Sequence, residues 1–597
     1  MNSSVLKYNV LIAIVALLLF VPFLGAVHLF DWDEINFAEC AREMLVTHDY
    51  FSVKINFQPF WEKPPVFIWM QALSMSVFGV SEFAARLPNA ICGCLTLLIL
   101  FNIGRKLVDQ KFGLIWALAY AGSFLPHFYF KSGIIDPWFN LFIFCGIYYF
   151  ILFSNNNPQG KKSINNDHSE PLSHPELVSG SKNLHDSGSM KMLKQVQHDL
   201  DAEKNIRSTR LLLLSALFIG LGVLTKGPVA LLVFGLCIGV YWIINRFQPI
   251  ISLRQIIIYV SAVTFVGGLW FMLLALTGNT AIIKEFFIYQ IRLFNTQDAG
   301  HGGPFFYHWL VLLIGCFPIS VLGLRAFKGN VSDTPYQKHF KLWMMILFWV
   351  VLILFSIVKT KIVHYSSLCY FPLSFLGAYV IYKLMNAELL WKKYTSILLI
   401  FISGLIGIAL SVLPFIDKYK QKIIDSNIIK DKFAVENLKA NVHWTGFECL
   451  IGVVLIVGVG GMLVLINRGK LKQGILGIFL ISLFSVNMAA VVVAPRIEKY
   501  SQGAAIEFYE YLQNKDCYLE TIGFKSYAHL FYSRKKEQAN KNSYSMDWLL
   551  TGAIDKPAYF ASKVTEEENI KNNYPGLKEI YSKNGFVFWY RKQVINI

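Results

Sequence analysis

The chain has 597 residues, 55 basic against 38 acidic side chains, a net charge of +17, 55% hydrophobic residues and only 16% charged ones. Soluble chains carry about 25% charge, so intrinsic disorder, a collagen-like fibre and a small disulfide scaffold are excluded. The basic excess lies in short loops between apolar runs, which argues against nucleic acid as a partner and for a polytopic protein held in membrane lipid.

A helix needs roughly 20 apolar residues to cross a bilayer. Thirteen segments qualify or come near: Tyr8–His28, Leu87–Ile103, Phe112–Leu125, Pro137–Phe153, Leu211–Leu224, Pro228–Asn245, Ile256–Leu276, Tyr307–Leu324, Leu342–Val358, Tyr365–Tyr382, Tyr394–Phe415, Gly446–Ile466 and Gly474–Ala494. The first has no A-x-A cleavage site behind it and reads as an uncleaved anchor. Alternate loops hold Arg105, Lys106 and Lys111; Arg246 and Arg254; Arg325, Lys328, Lys338 and Lys341; Lys383, Lys392 and Lys393; and Arg468, Lys470 and Lys472. Those loops are expected on the cytoplasmic side, with the N-terminus, and the tail outside. The loop Asp31–Arg86 falls outside and holds eight acids against four bases. The outside loop Asp417–Val442 is Lys-rich and runs against the rule. The nine cysteines show no zinc or redox spacing.

The first outside loop is the densest in polar groups. From Asp33 onward, Ile35, Phe37, Ala38, Ala41, Met44 and Leu45 recur at helical spacing, which predicts an amphipathic helix on the membrane surface. Asp33 and Glu34 would stand at the positive end of its dipole, where acids also serve as mere caps. Phe60-Trp61-Glu62-Lys63-Pro64-Pro65 follows, the prolines fixing an extended turn before a second apolar stretch, Val66–Gly79. A Lys there can offset phosphate charge, and a Glu can ligate a cation or simply pair with that Lys.

The polar stretch 155–207 reads as a disordered cytoplasmic insertion, too poor in apolar residues to fold alone. Within it, Ser173–Ser181 and Met190–Leu200 resemble peptides translated from mobile palindromic repeats. The membrane part is expected to span 1–494, and the tail, 495–597, to form a small periplasmic α/β domain. In that tail Gly503–Gln513 is helix-like, while Cys517–Phe524 and Gly585–Arg591 are strand-like.

The run Asp33–Phe51, then Phe60–Pro88, resembles the bacterial aminoarabinose and dolichyl-phosphate-mannose type of glycosyltransferase, with the GT-C fold. Lys131–Asp136 (KSGIID), Leu224–Pro228 (LTKGP), His301–Tyr307 (HGGPFFY), Lys359-Thr360-Lys361 and His364-Tyr365 fit in the same order. The resemblance covers about residues 5 to 500 apart from the insertion. It implies an all-α membrane bundle capped by two outer-surface helices. It further implies transfer of a sugar from a polyprenyl (undecaprenyl) phosphate to a lipid A-like glycolipid or a protein, at the periplasmic face of the bacterial inner membrane, with inversion.

By the same resemblance Asp33 is the catalytic carboxylate and Asp136 its supporting acid. Glu34, Lys63, Lys226 and Tyr365 bind substrate, and Glu62 with His301 would hold a divalent metal, zinc or manganese. The chain departs from the pattern at Phe37, where relatives often have Tyr, and at Asp31, a second carboxylate competing with Asp33. The absence of a G-x-x-x-x-G-K-[ST] loop agrees with a lipid-linked rather than a nucleotide-linked donor. The alternative, a transporter or flippase of lipid-linked sugar, predicts ionisable residues in mid-span and internal repeats; the spans show neither.

Overall fold

The computed structural model describes residues 3–31, 33–156, 187–295, 302–327 and 333–594. Among them ten helices are long and apolar enough to cross a membrane: Ser3–Phe20, Glu82–Leu107, Asp136–Asn156, Asn205–Lys226, Leu253–Leu276, Pro335–Ile357, Val363–Met385, Lys393–Lys418, Cys449–Asn467 and Leu471–Ser501. One further apolar pair, Tyr307–Gly315 with Ile319–Phe327, is bent by 109° and makes an eleventh candidate if counted as one span.

Thirteen were expected, and the differences have local causes. The stretch Phe112–Leu125 is apolar throughout, but its helix, Gln110–Ala121, closes at Gly122 and a six-residue piece, Phe124–Tyr129, follows. The stretch Pro228–Asn245 forms Val229–Ile244, 16 residues and so short of a full crossing. The stretch Tyr307–Leu324 is interrupted before Pro318, whose ring cannot continue a helix, and its two pieces meet at 109°. A helix Ser187–Lys226 also runs back into the expected disordered insertion. Met190–Arg207 holds no Gly or Pro, so a helix nucleated in the span propagates into it at little cost. The rest of that insertion, 157–186, lies outside the described residues.

The chain folds as two compact units, Met1–Pro137 with Trp309–Ala326 and Gly377–Ile597, and Trp138–His308 with Phe327–Leu376. In the first unit, Lys393–Lys418 packs on Cys449–Asn467 at glycine contacts. A Cβ added to Gly452 would lie 2.0 Å from the Gly407 carbonyl oxygen, the close approach that small residues permit between membrane helices.

The outside loop of this unit forms the helices Asp33–Thr47 and Val66–Phe78, joined by a short hairpin, Lys54–Ile55 with Gln58–Pro59. The helical expectation for both holds, and the first is covered by protein on all sides: every residue from Glu34 to Met44 is buried. Its apolar face packs, with Phe37 edge-on to Phe67 at 5.9 Å. Its charged face is covered because Glu34, Glu39 and Arg42 find partners inside the protein.

The tail carries a four-stranded sheet of Tyr518–Ile522, Ala558–Lys563, Phe586–Arg591 and Lys578–Lys583, in that spatial order. The first pair is parallel and the others antiparallel. Asn584 and Gly585, both at positive φ, make the two-residue hairpin turn. Alternate residues Phe560, Val587 and Trp589 face a core closed by Leu549 and Ile570.

In the second unit, Ser187–Lys226 packs on Leu253–Leu276 and Val229–Ile244 on Pro335–Ile357. Tyr241 stacks on Trp343 at 4.6 Å in the latter contact.

Candidate active site

In the first unit the site is built around one buried ion pair. Arg86 lies in the first turns of Glu82–Leu107, a helix started by the Ser81 hydroxyl, which accepts from the Ala84 N–H. Its Nε and Nη2 donate to the two Glu34 oxygens at 3.0 and 2.7 Å. Nη1 reaches the carbonyls of Leu24 and Val27 at 2.8 and 2.7 Å, and Nη2 also that of His28 at 2.9 Å. All five guanidinium protons are thereby used. Glu34 accepts, in addition, the N–H groups of Phe30, at 2.8 Å, and Gly133. Burial alone would raise the Glu34 pKa, but Arg86 and the backbone donors hold it below the usual carboxylate value.

Glu34, expected to bind substrate, is therefore saturated from within the protein and acts as the anchor of its own helix. Asp33, the residue before it, opens that helix and is half-buried. The same scaffold fixes the KSGIID loop. Asn89 donates to the Ser132 and Ile134 carbonyls at 2.7 and 2.6 Å, and Gln71 to the Ala85 carbonyl at 2.9 Å. Asp136, buried, then begins the next membrane helix. Glu62 and Lys63 sit half-buried in the turn ahead of Val66–Phe78, with Pro64 and Pro65 buried behind them. Sequence reasoning did not single out Arg86, Asn89 and Gln71; the signal was a set of polar residues in otherwise apolar helices.

The second unit brings Lys226 and Tyr365 together. Lys226 ends its helix because Gly227 follows at φ +96°, with a contact to the Phe286 ring that leaves no room for a Cβ. The ammonium lies 5.2 Å from the Tyr365 ring centre and 5.7 Å from that of Phe139. Gly302 pairs with Thr360 as an isolated bridge, so the HGGP and KTK segments run side by side. Lys361 donates to the carbonyls of Phe355, Ser356 and Val358 at 3.0, 2.7 and 2.6 Å, capping the helix Pro335–Ile357. His301 lies outside the described residues. Among the described residues no group of three or more His, Cys, Asp or Glu side chains is placed to hold a metal ion.

The buried helix Asp33–Thr47 carries a second acidic feature. Both Glu39 oxygens are bound by Arg42, at 2.7 and 2.6 Å, and Glu43 lies beside them, accepting the Phe57 N–H at 2.8 Å. Burial, then the neighbouring Glu39 charge, push the Glu43 carboxyl up to about 9. Folded, it keeps its proton at neutral pH; unfolded, it releases it near pH 4.3, as ordinary Glu does (about that value). The folded chain thus binds the extra proton, and stability falls as pH rises from about 4.3 towards 9. Glu43→Gln is expected to remove that loss. The variant should melt higher at about pH 8, by on the order of 1 kcal/mol or more, and match the native protein near pH 4. A gap of equal size at both pH values would reject this reading.

Residues 62–161 match the family model of dolichyl-phosphate-mannose-protein mannosyltransferases. The chain is 24% identical over 443 residues to an undecaprenyl phosphate-alpha-4-amino-4-deoxy-L-arabinose arabinosyl transferase of Proteus mirabilis, covering 71% of each chain. The corresponding Shewanella sediminis transferase is 23% identical over 433 residues, with 70% of this chain and 68% of that one covered. The crystal structure of ArnT from Cupriavidus metallidurans bound to undecaprenyl phosphate superposes with a TM-score of 0.70 over 98% of both chains, at 16% identity. That likeness settles the fold as GT-C.

The chain has the GT-C fold and is similar to glycosyltransferases of the bacterial aminoarabinose-transferase type.

The expectation formed on the first-loop motifs thus holds for fold, enzyme class and multi-pass membrane location. Phe37, a departure from the expected pattern, packs as a buried core ring edge-on to Phe67.

Proposed function

We propose that the enzyme transfers a sugar from an undecaprenyl-type polyprenyl phosphate to a lipid A-like glycolipid at the periplasmic face of the bacterial inner membrane. The N-terminus would be cytoplasmic and the C-terminal sheet periplasmic, as the loop charges require. One observation carries the reading. Glu34 follows Asp33 directly and accepts the N–H of Gly133, three residues ahead of Asp136. A single buried carboxylate therefore fixes both segments that present the candidate catalytic acids. The names of the curated relatives support the donor class.

In the proposed reaction an acceptor oxygen attacks the anomeric carbon from the face opposite the phosphate. The bond from that carbon to the phosphate oxygen breaks, its electron pair leaves with the polyprenyl phosphate, and the anomeric centre inverts. Asp33 takes the proton of an acceptor hydroxyl. Single displacement needs only one such base, as in the inverting logic of glycoside hydrolysis. Lys63 offsets the charge growing on the departing phosphate. Asp136 supports Asp33, and Lys226 with Tyr365 forms a second donor-binding pair.

The test is transfer from a labelled polyprenyl-phosphate sugar by membranes containing the native enzyme, with glycolipid and protein fractions counted separately. Label in the glycolipid supports the proposal, and label in protein replaces the acceptor. Donor moved across the bilayer but never consumed would make the protein a transporter. In the same assay Lys226→Ala is expected to raise the donor KM about tenfold, the loss of one charged hydrogen bond, with kcat within about threefold. An unchanged KM would remove Lys226 from donor binding.

A further inference from the structure

Of the described residues directly ahead of helix Asp33–Thr47, His28, Leu29 and Asp31 are gripped by side chains and backbone from 470 or more positions later in the chain. Gln502 stands between the helix Ala494–Ser501, which ends the last membrane segment, and Gly503–Tyr511, the first helix of the tail. Its Nε2 donates to the Leu29 carbonyl at 2.8 Å, and its Oε1 accepts the Asp31 N–H at 3.3 Å. The buried Tyr532 hydroxyl accepts the Leu29 N–H at 2.6 Å. The Tyr527 N–H donates to the Asp31 carboxylate at 3.4 Å. His28 pairs with Glu498 at 3.2 Å and meets the Tyr532 ring edge-on. Glu34 meanwhile holds the Phe30 N–H from the other side.

These contacts are more than is needed to attach a tail to a loop. They leave the backbone around Asp33 fixed from both directions, by Arg86 through Glu34 and by the tail through Leu29 and Asp31. Gln502 alone satisfies one donor and one acceptor on residues two apart, a pattern that sets the path of the strand entering the helix. The Asp31 carboxylate is engaged here by backbone of the tail.

We infer that Gln502 and Tyr532 are positioning residues for Asp33, so that the C-terminal domain completes the active site rather than merely adjoining it. This rests on the proposed role of Asp33 in sugar transfer. A carboxylate displaced by about 1 Å loses on the order of 100-fold in rate although substrate binding elsewhere is intact. Because neither residue is assigned a contact with the donor, the effect should fall on kcat.

The experiment uses the full-length enzyme in membranes, with Gln502→Ala, Tyr532→Phe and Gln502→Glu beside the native chain and Asp33→Asn. Gln502→Ala and Tyr532→Phe are expected to lower kcat about 10- to 100-fold with donor KM within about twofold and melting temperature unchanged. Tyr532→Phe keeps the buried ring and so reports even if Gln502→Ala folds poorly. Gln502→Glu is the diagnostic variant. As a carboxylate it faces the Leu29 carbonyl and lacks the donor; protonated, it regains both functions. Its kcat, divided by the native value at each pH, should recover on going from about pH 7 to about pH 4, where an ordinary Glu takes up its proton. That division removes titration of the neighbouring His28, Glu498, Asp31 and Glu510, which both proteins share.

Variants that melt like the native enzyme and transfer at the native kcat would overturn the inference. So would a parallel change of kcat and KM with a lowered melting temperature and no recovery of Gln502→Glu in acid, which marks a merely structural role. If Asp33→Asn is as active as the native chain, the functional reading itself fails, and the positioning role with it. Silent Gln502 and Tyr532 variants beside a dead Asp33→Asn reject the positioning role alone.

Discussion

Asp33→Asn is expected to lower transfer by about 10²- to 10⁴-fold, the range that a positioned general base contributes, while binding of the polyprenyl phosphate donor changes less than about twofold. Asn matches Asp in shape and tolerates a helix start equally well, so the helix Asp33–Thr47 should keep its place. What the variant loses is the ability to take a proton. An acceptor that is itself a phosphate needs little deprotonation, and the fall would then lie at the low end. The companion variant Asp31→Asn decides between the two acids that the sequence alone left open. Its carboxylate accepts the Tyr527 N–H, and the Asn carbonyl oxygen can accept it too, so placement of the loop should hold and the cost should be smaller. Matched-expression membranes and single-turnover rates with bound donor give the comparison. A native rate in Asp33→Asn beside a collapse in Asp31→Asn would transfer the catalytic role to Asp31.

Glu34→Ala should do something different: it should cost the fold. Its partner Arg86 is buried with a side chain only 4% exposed, and removing one member of a buried pair costs about 3–5 kcal/mol because the other charge is left without compensation. The expected result is a marked drop in melting temperature in detergent, or no monodisperse protein at all. Arg86→Lys should fail in the same way, because an ammonium has three protons where Arg86 uses five. The double variant Glu34→Met with Arg86→Met should recover part of the loss, since it removes both charges together. Glu34→Ala that melts like the native protein but no longer binds donor would restore Glu34 to the substrate-binding role expected from the sequence.

The contrast between Asp33 and Glu34 shows where sequence reasoning reaches its limit. Both acids stand at one helix start, and residue type and spacing treat them alike. What separates them is Arg86, 52 positions after Glu34, and Gly133, 99 positions after it. Hydrophobic spacing from Ile35 to Leu45 located the helix correctly but exposed only its apolar face to inspection. Burial of its charged face depends on pairing with distant residues, which periodicity does not encode. The same division holds in the tail. Tyr518–Ile522 and Phe586–Arg591 were legible as apolar strands, whereas Ala558–Lys563 and Lys578–Lys583 were not. The outer strand is exposed along its whole length and carries polar residues accordingly. Two of the expected spans, Phe112–Leu125 and Tyr307–Leu324, are broken for one reason. Apolar composition runs on through Gly122-Ser123 and Phe317-Pro318, but the helix does not.

The Glu34 and Arg86 anchor also bears on the order in which the protein is assembled. Every group it joins, from the Leu24 carbonyl to the Gly133 N–H, lies in the first 133 residues. A ribosome delivering the chain to the membrane has released all of these parts long before the tail exists. The loop carrying Asp33 can therefore be seated early, by its own neighbours, against the first membrane helices. Its second clamp, at Gln502 and Tyr532, arrives only with the last hundred or so residues. Biosynthesis thus separates a stage at which the loop is held from a stage at which it is locked, and a chain stopped short of residue 502 would stay at the first.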